Sequence, residues 1–335
     1  MPNPLHLIRP GVRVLSDPDT PRPQWRALRK GGIGGSDALA VANLDRNCSP
    51  LRVWLEKTSD ELDEEIDNPL MHWGRILEAP LGQWFQETTG IEIFKCGMLG
   101  HPQHSWMLFT PDYLTADDAI VEIKTTGPYA TADAWANGKT PDRAVIQLQH
   151  GMAVTGKQRG YAVGGIWGTE PQLRIIERDD DMITELIALE EEFWQLVLDG
   201  TPPPMGTHPD DAALIRLLYP VGDPDAAVEL SPVAYAALSR YLDLGERAKI
   251  LDAQKAALQA VVTAELGEAT EGLWHGKPVV TWKNNAPISE KVLRATHPEL
   301  AAEYTTTRET LDTKALYRDH PELTGPLRAR RFLPN

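Results

Sequence analysis

Two cysteines in 335 residues, Cys48 and Cys96, are too few for a disulfide framework or a four-thiolate metal centre. Their scarcity also argues against an iron–sulfur cluster, which needs four such ligands, and points to a reducing compartment. No apolar run is long enough to span a bilayer. The opening MPNPLHLIRPGVRVLSDPDTPRPQ is broken by prolines and charges where a signal peptide would be apolar. A soluble, cytoplasmic protein with no membrane partner is expected. An excess of base is missing too: the formal net charge is −15, which taken alone argues against a protein that coats nucleic acid through a broad basic surface. Charge is a sum, however. Much of the acid lies in SDELDEEIDNP (residues 59–69), read as a solvated loop, while bases cluster in RPQWRALRKGG (22–32) and RARRF (328–332).

What is present is 42% hydrophobic residues and 10 Trp, enough for one sizeable core and a smaller second unit. GGIGGSDALAVANL reads as a glycine turn feeding a short helix with Ser36 as its N-cap, and SPLRVWLEKTS as another helix. From Leu70 to Thr88 the residues Leu70, Trp73, Leu77, Leu81, Trp84 and Phe85, widened by Ile76, recur at spacings of three and four. They predict an amphipathic helix that Pro80 either bends or places near its first turn. IEIFKCGML, SWMLFTPDYL, AIVEIKTT, GYAVGGIWG and QLRIIERD read as strands. AVIQLQHGMAVTGK is a helix stopped at Gly156, and DMITELIALEEEFWQLVLDG a long amphipathic helix. Mixed strands with helices between and after them predict an α/β fold, a mixed sheet flanked by helices.

The breakers in GTPPPMGTHPDD end that core, giving expected bounds of 1–205 for the core, 206–226 for a linker and 227–335 for a C-terminal helix and small α/β appendage. There Ser231 and Pro232 open a long helix with Leu244, Leu251 and Leu258 seven residues apart, expected to pack on its own chain. KPVVTWKN reads as a strand. HPEL occurs at His297 and again at His320, too few copies for a repeat architecture.

The chemistry concentrates in AIVEIKTTGP. Val121 and Ile123 alternate with Glu122 and Lys124, so a strand turns the acid and the base to one face. Taken alone, the triplet is a same-face ion pair, and E-x-K arises by chance on the order of once in a chain of this length. A magnesium ion asks for oxygen ligands, one or two carboxylates beside waters and a substrate phosphate. Upstream, FTPDYL puts Asp112 at the end of a strand that pairing would bring beside Glu122. Asp312, in the similar DTK, is a helix cap instead.

The order of RKGGIGGSD, WGRILE, TPD, VEIK and QLQHGMAVTG resembles that of the YqaJ-like phage recombinases, relatives of phage lambda exonuclease in the PD-(D/E)xK nuclease superfamily. The resemblance runs from Trp25 to Pro204. It implies a restriction-endonuclease-like core in which Glu78, Asp112 and Glu122, with the Ile123 carbonyl, hold Mg2+ or its substitute Mn2+. Lys124 is then the catalytic lysine and Gln147 its supporting glutamine. Arg29, Gly35 and Ser36 match residues that grip a DNA 5′-phosphate, glycine allowing close backbone approach. His150, one helical turn after Gln147, is not assigned as a ligand, and Asp37 is part of the likeness without a derived role. The implied activity is a metal-dependent 5′ to 3′ exonuclease on linear duplex DNA ends, of phage or prophage origin. It would work with a RecT-like single-strand annealing protein, as a homo-oligomer. A structure-specific or restriction-type endonuclease of the same superfamily, and a non-catalytic DNA-end-binding module, are the alternatives.

Overall fold

The computed structural model describes residues 3–59, 69–126, 135–166, 169–206, 208–223, 225–284, 287–306, 310–324 and 330–332. The acidic stretch read as a loop lies, over residues 60–68, outside them. The chain divides into two units, Met1–Leu218 and Tyr219–Asn335. The helix Asp211–Leu218 thus belongs to the first unit, with Leu214 buried in its core, where a linker over 206–226 was expected.

The first unit holds two sheets. Strands β1 (Arg13–Val14), β4 (Leu99–Gly100), β5 (Met107–Phe109) and β2 (Ile33–Gly34) form one, in that order. The other runs β3 (Ile93–Phe94), β6 (Tyr113–Thr115), β7 (Ile120–Thr126), β8 (Arg159–Ile166) and β9 (Gln172–Glu177). It is a mixed sheet: β7 pairs with β6 antiparallel and with β8 parallel. Helices α1 (Arg22–Lys30), α2 (Gly35–Val41), α3 (Pro50–Thr58), α4 (Pro69–Thr89), α5 (Asp142–Thr155) and α6 (Asp180–Leu198) accompany the sheets, giving the α/β class that the alternating segments predict.

Two segments read as single strands are each divided between the sheets. IEIFKCGML breaks at Gly97, where a Cβ would stand 2.0 Å from the Ser16 carbonyl oxygen, so the chain can pass there only as glycine. SWMLFTPDYL breaks at Thr110–Asp112, because Pro111 has no N–H for a sheet ladder. Ser36 is likewise not an N-cap. Helix α2 starts at Gly35, and the Asp37 carboxylate accepts the Gly34 N–H at 3.0 Å, which places Ser36 inside the first turn.

Between β6 and β7 the chain reverses over Thr115–Ala119. The Thr115 hydroxyl oxygen accepts the Ala119 N–H at 2.8 Å, and Asp118 takes a left-handed φ of 66°. Helix α5 ends at Gly156, also left-handed at φ 70°. Helix α4 buries only the later part of its apolar stripe: Leu81 and Phe85 are buried, whereas Trp73 and Ile76 are exposed. One core cluster gathers Phe109, Leu114, Ile120, Leu148 and Met152; a second joins Leu81 and Phe85 to Val121 and Ile123.

In the second unit, the long helix Pro232–Leu266 is capped by Ser231, whose side chain accepts the Ala234 N–H. Its heptad leucines do not pack on their own chain among the described residues. Leu244, Leu251 and Leu258 are 50%, 63% and 70% exposed, because no neighbouring element covers the seam. The strand Lys277–Thr281 pairs with Glu271–Trp274 as a hairpin, and each HPEL opens a short helix.

Candidate active site

Strand β7 carries the acid and the base, and its neighbours set their surroundings. The antiparallel register places Tyr113 opposite Val121, so Asp112 comes beside the next residues of β7. The Ile123 N–H donates to Asp112 Oδ2 at 2.6 Å. Glu122 is buried on the same strand, its Oε1 accepting from Lys124 Nζ. The Lys124 ammonium also donates to Gln147 Oε1 at 2.6 Å, from helix α5 above the strand. Asp112, Glu122, Lys124 and Gln147 thus meet at one place, although Lys124 and Gln147 are distant in the chain.

Two acids share this space without enough base to balance them. Burial first, then the charges of Glu122 and Glu78, push the Asp112 carboxyl well above the usual carboxylate range. Glu122 is pushed up by burial also, with Lys124 opposing. Its Oε2 is buried and has no hydrogen-bond partner. An orphaned carboxylate oxygen beside a second buried acid is an arrangement that a hard cation would satisfy, since it offers oxygen ligands and excess negative charge.

Glu78 approaches from helix α4. Gly74, Glu78 and Gly82 are four residues apart and share a face. A Cβ at Gly82 would lie 2.8 Å from the Tyr113 ring, and one at Gly74 3.3 Å from Thr125 Oγ1. The two glycines therefore let α4 lie close on β6 and β7, with Glu78 between them. Its carboxylate is paired with Lys95, whose ammonium sits 4.3 Å from the centre of the Tyr113 ring. Among the described residues no three carboxylate, imidazole or thiolate groups already stand as a cation cage. Lys95 was not singled out by sequence: it lies in a segment that reads as an ordinary strand.

Arg29, Ser36 and Gly35 stand next to this cluster. The Arg29 guanidinium donates to the Ser36 hydroxyl at 2.7 Å and pairs with Asp37. A Cβ at Gly35 would be 3.0 Å from Gln147 Cγ, so the glycine turn rests directly on the glutamine that holds Lys124. Lys57 is a further member that the sequence did not mark. Its ammonium is buried and donates to Asp37 Oδ2 at 3.0 Å and to the Arg29 carbonyl at 3.1 Å. His150 is accounted for otherwise: its Nδ1 meets Glu190 Oε1 at 2.8 Å and its Nε2 the Leu108 carbonyl at 2.7 Å, leaving no ring nitrogen for a metal.

No helix among the described residues is long and apolar enough to cross a membrane. Residues 24–158 match the family model described as the YqaJ-like viral recombinase domain. The chain is 28% identical over 296 residues to the Bacillus subtilis protein YqaJ, covering 82% of this chain and 92% of that one. Among solved structures, it is similar to an alkaline exonuclease from Laribacter hongkongensis, with 22% identity and a TM-score of 0.46 over 58% of this chain and 96% of that chain. A phage-related exonuclease from Haemophilus somnus gives 14% identity and a TM-score of 0.36, over 51% and 96%. Every side chain of the cluster around Lys124 lies within residues 24–158, the part of the chain that is similar to the YqaJ-like viral recombinase domain.

Proposed function

We propose that the protein is a Mg2+-dependent deoxyribonuclease that digests linear duplex DNA from its ends, 5′ to 3′, and leaves single strands for recombination. The observation that carries this reading is the Lys124 ammonium held between Glu122 and Gln147 beside a second buried acid, with one Glu122 oxygen left unpartnered. Asp112 and Glu122 would hold the cation with the Ile123 carbonyl, and Glu78 would join them by exchanging its Lys95 partner. Mn2+ is the expected substitute. When bound, the cation supplies Lewis-acid polarisation of the phosphoryl group and an acidified water. Lys124 holds its positive charge where the phosphate gathers negative charge and orients the attacking water. Gln147 fixes the amine, and Arg29, Gly35 and Ser36 bind the 5′-phosphate.

The test is digestion of end-labelled linear duplex with Mg2+, with and without a 5′-phosphate, beside a closed circular plasmid and the variants Glu122→Gln and Lys124→Ala. The reading expects linear DNA to be digested from the 5′-phosphorylated end, the circle to survive, and both variants to be inactive. Cleavage of the circle would make the protein an endonuclease, and no cleavage with Mg2+ or Mn2+ would leave a DNA-end-binding module. A RecT-like annealing protein is the proposed partner. A homo-oligomer enclosing the duplex would reconcile a net charge of −15 with DNA binding, provided its basic residues face the channel. The proposed location is the cytoplasm of a bacterial host.

A further inference from the structure

We propose that Asp37 is the positioning residue that aims Arg29 at the terminal phosphate of the DNA, an inference that rests on the phosphate-gripping reading of Arg29. Asp37 has a side chain only 6% exposed, yet both its oxygens are committed. Oδ1 accepts from the Arg29 guanidinium, while Oδ2 accepts from Lys57 Nζ and from the Gly34 N–H. The carboxylate therefore ties three elements together: α1 through Arg29, α3 through Lys57, and the end of β2 through Gly34.

A negative charge beside a phosphate grip would ordinarily repel the ligand. Here it is neutralised by direct pairs with Arg29 and Lys57. A second acid, Glu56, lies within electrostatic reach of the same groups, so the grip depends on which cation is turned outward and not on a surplus of charge. Lys57 is spent inward, its side chain 2% exposed and its ammonium bonded to Asp37 and to the Arg29 carbonyl. Arg29 is the member that reaches solvent, at 26%. Its Nη2 is used by Asp37 and Ser36, and its Nε and Nη1 make no hydrogen bond among the described residues.

The guanidinium is confined on two further sides. Its central carbon lies 5.5 Å from the centre of the Trp25 ring, and that indole is itself fixed by a bond from Nε1 to Thr110 Oγ1 at 3.2 Å. The Gly34 backbone also runs close, since a Cβ there would be 3.2 Å from Nη1. A planar fork held in one orientation loses little entropy when it meets a phosphate, which is the condition for strong paired hydrogen bonds. Removal of the Asp37 charge leaves Arg29 its stack on Trp25 but frees the fork to rotate.

The experiment measures binding of a linear duplex bearing a 5′-phosphate or a 5′-hydroxyl by fluorescence anisotropy in EDTA, together with initial digestion rates of the same two substrates in Mg2+. The wild type is expected to favour the phosphate in both. In Asp37→Asn the preference should fall at least about tenfold, the loss of one oriented charge-assisted contact. It should appear chiefly in Kd and KM. Asp37→Glu should restore part of the preference, and Arg29→Ala combined with Asp37→Asn should lose no more than Arg29→Ala alone. Should Asp37→Asn fail to fold by circular dichroism, Lys57→Met, which removes one of the two cations on Asp37, is expected to lower the preference more than it lowers the rate on the 5′-hydroxyl end. A folded Asp37→Asn or Lys57→Met with the full preference overturns the positioning role. A wild type without any preference overturns the phosphate-gripping reading beneath it.

Discussion

Replacing Glu122 by Gln should make the cation-free protein more stable while abolishing its proposed activity. Glu122 has a side chain 3% exposed, and its Oε2 meets no partner. A buried charged group left partly unsatisfied costs about 1–3 kcal/mol. The amide removes the charge and puts a donor beside the Asp112 carboxylate. Against this, the bond from Lys124 becomes one to a neutral oxygen, a loss of about 1 kcal/mol, although Lys124 keeps Gln147. The balance is about 1 kcal/mol in favour of the variant, or a rise of roughly 2–4 °C in Tm for a unit of this size. Thermal unfolding in EDTA measures it. With Mg2+ at 100 times its Kd the wild type gains about 2.7 kcal/mol, which the variant should largely forgo, so the order of stabilities reverses. Unfolding of the variant below wild type in EDTA, or an equal Mg2+ shift in both, would refute the reasoning.

Lys95→Met, by releasing Glu78, should tighten Mg2+ binding by up to about fivefold, the worth of a partly exposed ion pair; titration calorimetry checks this. Gly151→Ala should destabilise the first unit by roughly 1–3 kcal/mol, because its Cβ would stand 2.5 Å from the buried Phe109 ring; denaturant unfolding measures it. His101 is pushed down to about 4 by burial and then by His104, and its Nδ1 accepts the N–H groups of Gln103 and His104 at 3.1 and 3.0 Å. The unfolded chain takes that proton near pH 6.5. Stability should therefore fall as pH drops below about 6.5 and level off below about 4, and His101→Asn should flatten that limb in a pH series of thermal melts. His150 is opposite in sign. Burial alone would lower it, but the charge and hydrogen bond of Glu190 raise it above its ordinary value. Its contribution should be complete below about pH 6.5 and disappear as pH rises through the folded value, an alkaline limb that His150→Gln should remove.

The parts of the site that read cleanly in sequence are those made by short-range geometry. The alternation in AIVEIKTT defines β7, and the short reversal before it brings Asp112 alongside. Residues whose meaning depends on a distant partner stayed hidden. Lys57 is one more residue of a short helix until Asp37 is seen to bury with it, and Lys95 one more strand residue until α4 brings Glu78 to it. Gly97 and Pro111 divided two apparent strands because backbone approach and a missing donor override apolar alternation. The leucines of the long helix keep a perfect interval of seven, but periodicity describes a face and not what covers it.

The reversal at Thr115–Ala119 has a consequence for how freely the molecule can change over generations. Asp112, Glu122 and Lys124 are spaced by a closed loop of a few residues, locked by the Thr115 hydroxyl, so their mutual placement is insulated from length changes elsewhere. Lengthening an exposed connection is inexpensive, about 0.6 kcal/mol for each doubling. Insertions or deletions inside the reversal itself would shift Asp112 past its place on β7. Drift in size should accumulate outside this short hairpin, and the hairpin should tolerate changes of residue but not of number.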